Sequence, residues 1–351
     1  MPREDFLNML LEDGCYILDK FVEPRAGGGG RRSKDVDVDV RHDIIYLAEN
    51  QIPFFILEKI NGIIGWSESD KPLVGVFCSY IEQYVLKWYG YAIGRRCNGT
   101  PQPIHLLHLL HILLIGYQLQ PAPTRDQSHE TAIEMPPEPP HARRFLRWRR
   151  AKQYDMARVD LIGVDLISIS ELGPGPGGET RSILDVKPIG RCGGVGLEFP
   201  SLYVDRETWD MLGNLIGLEQ GNRKTLSQRV TAYCVLMSQL ACTGEDVELL
   251  SRRRVADHLM ANDKECAEGF ADLCNGVIFN LDDPSLNYLR TECVELDRRY
   301  RSRPSKWAAW MLQEYCRNPC VAVASVVAII FIAFGVLQAV YTVLKLRAVV
   351  K

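Results

Sequence analysis

Residues 43–64 read DIIYLAENQIPFFILEKINGII, strongly apolar on both sides of Pro53. Proline carries no backbone N–H and biases the residue before it away from helix, so the stretch predicts helix, break, helix. The opening DFLNMLLEDGCYILDKF places Phe6, Met9, Leu10, Cys15, Ile17, Leu18 and Phe21 at helical spacing interrupted near Gly14, which predicts one or two core helices. Phe77–Trp88 and Ile104–Tyr117 are further helical candidates.

Residues 24–41, PRAGGGGRRSKDVDVDVR, combine a glycine run with alternating charge and read as a flexible connector. The glycines are followed by no G-K-[ST], so they fail the phosphate-loop pattern. Residues 118–142 are proline-rich and aperiodic, an expected exposed loop. Farther on, VDLIGVDLISI from Val159 alternates as a strand does, and Gly173–Gly178 is a turn-rich break. Ile183–Val186 and Leu197–Val204 are expected to complete a small sheet. Trp209–Cys242 and Val255–Tyr300 return to helical spacing, with Asp282-Asp283-Pro284 as a helix-start signal.

At the other end, residues 320–344 read CVAVASVVAIIFIAFGVLQAVYTVL without a formal charge. As a helix they would extend about 37 Å, against a hydrocarbon layer of roughly 30 Å. Pro319 precedes the segment, and Lys345, Arg347 and Lys351 follow it. The expected class is therefore mainly α (α+β): a helical body with a small β-sheet and one C-terminal transmembrane helix. The expected organisation is a body over 1–317, a membrane anchor over 318–344 and a short basic tail over 345–351. Arg298, Arg299, Arg301, Arg303, Lys306 and Arg317 outnumber the three basic residues beyond the span, which orients the body towards the cytosol. The Asn98-Gly99-Thr100 sequon would matter only for a lumenal or extracellular body.

The chain has 351 residues, 46% hydrophobic and 24% charged, a globular composition and not a disordered one. A formal net charge of −3 gives no general reason to expect nucleic acid. None of the eleven cysteines forms a C-x-x-C pair, so they read as reduced, packed thiols of a cytosolic body. Met1-Pro2-Arg3-Glu4-Asp5 lacks the charge and apolar run of a secretory leader.

Three constellations bear on chemistry. His105, His108 and His111 stand three apart and fan around a helix, so they read as partly buried helix residues and not as metal ligands. Arg143–Lys152, RRFLRWRRAK, reads as a solvated helix face in preference to an anionic-lipid or RNA contact. Cys316 and Cys320 share a helix side at the membrane entrance, where either S-palmitoylation or unmodified thiols fit. No serine-hydrolase, zinc-protease or dinucleotide motif is present, so neither an enzyme nor a cofactor is expected.

NQIPFFILEKI at Asn50–Ile60 resembles the N-Q-[IL]-P-[FW]-F-x-L-E-x-[IL] signature of the plant "domain of unknown function 247" family, the UPF0481-like membrane proteins. Asn50, Gln51, Pro53, Phe54, Phe55, Leu57 and Glu58 carry that match. FLNMLLEDGCYILDKF and AKQYDMARV resemble two further family segments. Asp185 in ILDVKPIG, Asn214, Leu215, Leu218, Glu219 and Gln220 in GNLIGLEQ, and Glu245 and Asp246 in CTGEDVELL continue the likeness in the family's order. The chain departs from it at Arg158, where glycine is usual, at Cys320, where tryptophan is usual, and at His108, where an acid is frequent. It also begins almost on the D-G-C segment, without the region that usually precedes it.

The resemblance implies a plant membrane protein without established catalysis, similar in grasses to determinants of gametophytic self-incompatibility. The expected function is a single-pass, membrane-anchored recognition or signalling component in the plasma membrane or an endomembrane. Its expected partners are membrane lipid, through the C-terminal helix, and another protein, with no nucleic acid. A membrane-bound enzyme with an unrecognised site and a shortened, non-functional paralogue are the alternatives.

Overall fold

The computed structural model describes residues 2–21, 38–65, 72–93, 102–116, 146–166, 181–191 and 194–301, together with 327, 330–335 and 337–338. The first half is α1 (Arg3–Phe21), α2 (Val38–Arg41) running into a π-helical turn (His42–Tyr46), a 3-10 turn (Ala48–Asn50), α3 (Phe54–Ile64), α4 (Leu73–Ile81) extended by a second π-helical turn (Glu82–Leu86), β1 (Ala92–Ile93) and α5 (Leu106–Ile115). Then follow α6 (Ala151–Met156), β2 (Val159–Val164), β3 (Arg181–Ser182), β4 (Lys187–Arg191), β5 (Gly194–Pro200) and β6 (Leu202–Val204). The second half is α7 (Arg206–Gly221), α8 (Arg229–Leu240), α9 (Gly244–Arg252), β7 (Ala256–His258), α10 (Asp263–Leu273) and α11 (Arg290–Arg301).

The chain is extended through Gln51–Pro53, and helix α3 starts at Phe54, as proline requires. Phe54, Leu57 and Ile60 line the buried face of α3 and meet α1 and α4. Helix α1 passes through Gly14 without a break. A Cβ there would collide with Ile60 Cδ1, so the glycine serves a close helix approach and not a turn. Both halves feed one apolar core that runs from Ile17 in α1 to Leu296 in α11.

The sheets are small. β5 is central to three strands, parallel to β2 (Val159 opposite Val195) and antiparallel to β4 (Lys187 opposite Glu198). β6 pairs with β7 in parallel, Leu202 opposite Ala256, and β1 pairs with β3 antiparallel, Ala92 opposite Ser182.

Several expectations are corrected. The connector does not extend to 41, because residues 38–41 are helical and Arg41 is buried; residues 24–37 lie outside the described residues. Ile183–Val186 is a turn and not a strand, tightened by Ser182 N–H donating to Asp185 Oδ2 at 2.7 Å. Leu202–Val204 leaves the three-stranded sheet for β7.

Asp282-Asp283-Pro284 starts no helix. Asp283 Oδ1 accepts from Ser285 N and Oγ, local bonds that compete with helix, and α11 begins at Arg290. Over residues 146–150 the basic run is irregular and not a solvated helix face: Trp148 is buried, and Arg149 and Arg150 pair with Asp297 and Asp246; residues 143–145 lie outside the described residues.

Among the described residues no helix is long and apolar enough to cross a membrane. Most of 320–344 lies outside them. Those that are described there, Val327, Ile330–Gly335, Leu337 and Gln338, are helical and exposed. The 118–142 loop, the Asn98 sequon, Cys316, Cys320 and the 345–351 tail also fall outside the described residues.

Candidate functional site

Glu219, near the end of α7, is a fully buried carboxylate. Its Oε1 accepts from His111 Nε2 at 2.8 Å and from Val230 N at 3.1 Å. Oε2 accepts from Thr231 N at 2.8 Å and Thr231 Oγ1 at 2.6 Å. Val230 and Thr231 occupy the first turn of α8, where backbone N–H groups have no helical partner and the helix dipole favours an anion. One carboxylate thus closes α8 and ties it to α5 through His111. A carboxylate with no proton to give requires His111 to present Nε2–H.

Three other polar signature residues, Gln51, Asn214 and Asp246, repeat this device. Gln51 Oε1 accepts from Leu107 N, in the first turn of α5, at 2.9 Å, and its amide donates to the Ile44 and Leu47 carbonyls. Asn214 Oδ1 accepts from Ala48 N, which opens the 3-10 turn. Asp246, fully buried, accepts from Lys152 N in the first turn of α6 at 3.0 Å and pairs with Arg150 Nε at 2.9 Å. Each of these four side chains caps an element other than its own.

Asp185 holds its own turn and stands 3.6 Å from Arg229 Nη2. Asn50 donates to the Asp43 carbonyl, Glu58 accepts from Gln102, and Glu245 accepts from Lys152 Nζ at 2.6 Å. Phe54, Leu57, Leu215 and Leu218 are core, Phe55 is exposed, and Gln220 Nε2 is buried without a partner among the described residues. The structure therefore brings signature residues together as pins between helices and does not converge them on one reacting centre.

The helix histidines are engaged in backbone or carboxylate bonds. His105 Nδ1 accepts from His108 N and caps α5, His108 Nδ1 accepts from Ile104 N, and His111 serves Glu219. Burial, with His111 and His105 nearby, pushes the His108 pKa down to about 4. Among the described residues no three His, Cys, Asp or Glu side chains are grouped to hold a metal. Burial also raises the Cys266 and Cys293 thiols to about 12, which removes the thiolate that nucleophilic chemistry needs. A depression lined by Asp155, Val159, Leu161, Leu249, Leu250 and Arg253 is too tight to admit a water molecule, so it offers no ligand pocket.

Two networks were not legible in the sequence. Buried Arg41 donates Nη2 to Tyr89 Oη at 3.1 Å, and that hydroxyl donates to Glu207 Oε2 at 2.8 Å. Burial and the Glu207 bond raise the Tyr89 pKa to about 12. Arg149 pairs with Asp297, which also holds Arg301, and stacks on Tyr300. The first network joins residues over a hundred positions apart, and composition gives no signal for such a pairing.

Exposed apolar side chains gather on α1 (Phe6, Leu7 and Leu11), at the end of α3 (Ile63 and Ile64) and near the C-terminus (Ile330, Phe331, Ile332 and Phe334). No curated protein and no solved structure matches the chain. Residues 1–334 match the family DUF247, described as plant protein of unknown function, and the chain belongs to that family.

Proposed function

We propose that this protein is a membrane-anchored recognition component: residues 320–344 hold it in a bilayer and its helical body binds another protein. The observation that carries the anchor is the run Ile330, Phe331, Ile332, Ala333 and Phe334 with Leu337, helical and exposed, whose apolar side chains are spread around every side of the helix. Keeping such side chains in water costs each roughly 1.5–3 kcal/mol relative to burial, and hydrocarbon removes that cost on all faces at once. The surrounding sequence carries no formal charge over a length sufficient to span.

The basic residues before the segment favour a single pass with the body on the cytosolic side, at the plasma membrane or an endomembrane. Binding is favoured over catalysis because the buried polar signature residues are spent on capping helices. Recognition during pollination, the role to which the family resemblance points in grasses, would be one instance of such a function. The test is alkaline carbonate extraction of membranes carrying the full chain or a chain ending at Arg317. The full chain should stay with the pellet and the shortened one should be released; a full chain recovered in the supernatant would overturn the anchor.

A further inference from the structure

We infer that the exposed first half of α1, with the end of α3, is a docking surface for a basic amphipathic helix of a partner protein. The inference rests on the protein-binding reading above and specifies where and what the body binds. Leu7, Leu11, Gly14, Leu18 and Phe21 follow one another at steps of four and three, a single seam along α1. The second half of that seam is buried: Gly14 lies on Ile60 and Leu57 of α3, and Phe21 packs on Phe77 and Tyr80 of α4. Phe54, at the start of α3, also meets Phe77, so α1 and α3 run in opposite directions.

The first half of α1 therefore extends alongside and past the C-terminal end of α3. Over residues 3–13, about 16 Å of helix, Phe6, Leu7 and Leu11 remain exposed on the face that is core farther along. Ile64 continues the α3 stripe of Leu57 and Ile60 in the same way, and its neighbour Ile63 is 84% exposed. Two apolar stripes run off together without a covering element among the described residues. An apolar seam at i, i+4 and i+7 is the shape that receives a helix.

Charge selects the occupant. Glu4 borders the α1 stripe on one side and Asp13 on the other, and Asp5 and Glu12 stand behind, against Arg3 alone. A second copy laid antiparallel with Leu7 on Leu10 would set Glu4 against Asp13 twice by symmetry, two like-charge contacts at the edges of the seam, each unfavourable. An anionic membrane surface is repelled for the same reason. A helix with lysine or arginine flanking an apolar face meets both the seam and the acids, and complementarity of this kind sets partner choice.

The experiment uses the full chain in phosphatidylcholine nanodiscs, with empty discs as the blank, and two fluorescein-labelled 18-residue peptides. Both peptides have one leucine face; the other face is lysine in one and glutamate in the other. By fluorescence anisotropy the lysine peptide should bind about tenfold or more tightly than the glutamate peptide, a difference of about 1.4 kcal/mol. L7K with L11K should abolish its binding. E4K, D5K, E12K and D13K together should reverse the preference, with the circular dichroism unchanged because all four sites are exposed.

Equal affinities, or a preference that survives charge reversal, would overturn the inference, as would concentration-dependent dimers dissolved by L7K. A chain that stays free of the discs would sink the anchor alone, and the titration would be read on the free chain. Proximity labelling in plant tissue separates the remaining outcomes: partners that survive L7K with L11K keep the protein-binding reading and reject this surface. Partners lost with that variant support both.

Discussion

His111 Nε2 and Glu219 Oε1 lie 2.8 Å apart with side chains 1% and 0% exposed, joining α5 to α7 across 108 residues of sequence. The same carboxylate closes α8, so its loss affects three helices together. In Glu219→Gln the amide nitrogen must face either Val230 N–H and the His111 ring or Thr231 N–H and Oγ1. Removing the charge from a buried pair of this kind costs roughly 3 kcal/mol or more. His111→Leu leaves the carboxylate its three α8 donors and should cost less, about 1–3 kcal/mol. Urea unfolding at unchanged m measures both; equal losses for the two variants would show that capping α8 contributes nothing.

Arg158 has φ 56°, in the left-handed region, between α6 and β2. This is the position at which the family segment usually has glycine, and the backbone supplies the reason: glycine reaches that conformation without Cβ strain. Arg158 is exposed, so its side chain offsets little of the strain. Arg158→Gly should raise stability by about 1 kcal/mol, and Arg158→Val should lower it by a similar amount or more, since β-branching is least tolerated there. Thermal unfolding of the two variants checks the ordering, and a less stable glycine variant would assign Arg158 a contact worth more than the strain.

Local order was legible where one residue dictates backbone geometry. Pro53 fixed the start of α3, and the apolar spacing of Trp209–Cys242 led to α7 and α8. The parts that were not legible depend on distant partners. Gly14 looks like a break until Ile60 is seen against it, and Asp282-Asp283-Pro284 looks like a cap until Ser285 takes the Asp283 oxygen. The charge of Arg149 and Arg150 suggested solvent, whereas Asp297 draws Arg149 into the fold and buried Asp246 holds the half-exposed Arg150. The family resemblance singled out Gln51, Glu219 and Asp246 without saying that each closes another element's helix, because a capping partner in the first turn of a remote helix leaves no mark on nearby sequence.

The Gly14 approach makes its own test. Gly14→Ala puts a methyl into Ile60 Cδ1, the movable end of a side chain, so the cost is overpacking of about 1–3 kcal/mol and not loss of the fold. Ile60→Val, which shortens that side chain, should be mildly destabilising alone and should recover much of the loss in the double variant. A double-mutant cycle in urea reads the coupling; additive effects would mean that α1 and α3 are held apart by something other than this contact.

Acid should unfold the body through α5. His108 has its pKa lowered to about 4 by burial and by His111 and His105, and burial lowers His105 in the same direction. The ordinary histidine value is near 6.5, so between these limits the unfolded chain binds protons that the folded one refuses. This contribution to stability is intact above about pH 6.5 and falls as the pH drops towards 4. His108 Nδ1 also accepts from Ile104 N at 3.1 Å, a bond that protonation of that nitrogen would break. The loss attributable to His108 should reach about 2 kcal/mol at pH 4, less than the full linkage value because the ring is partly open to solvent. His108→Asn keeps an acceptor near that N–H and does not titrate, so its urea stability should fall less steeply between pH 6.5 and 4. Parallel pH profiles for the variant and the parent would show that His108 does not set the acid limit.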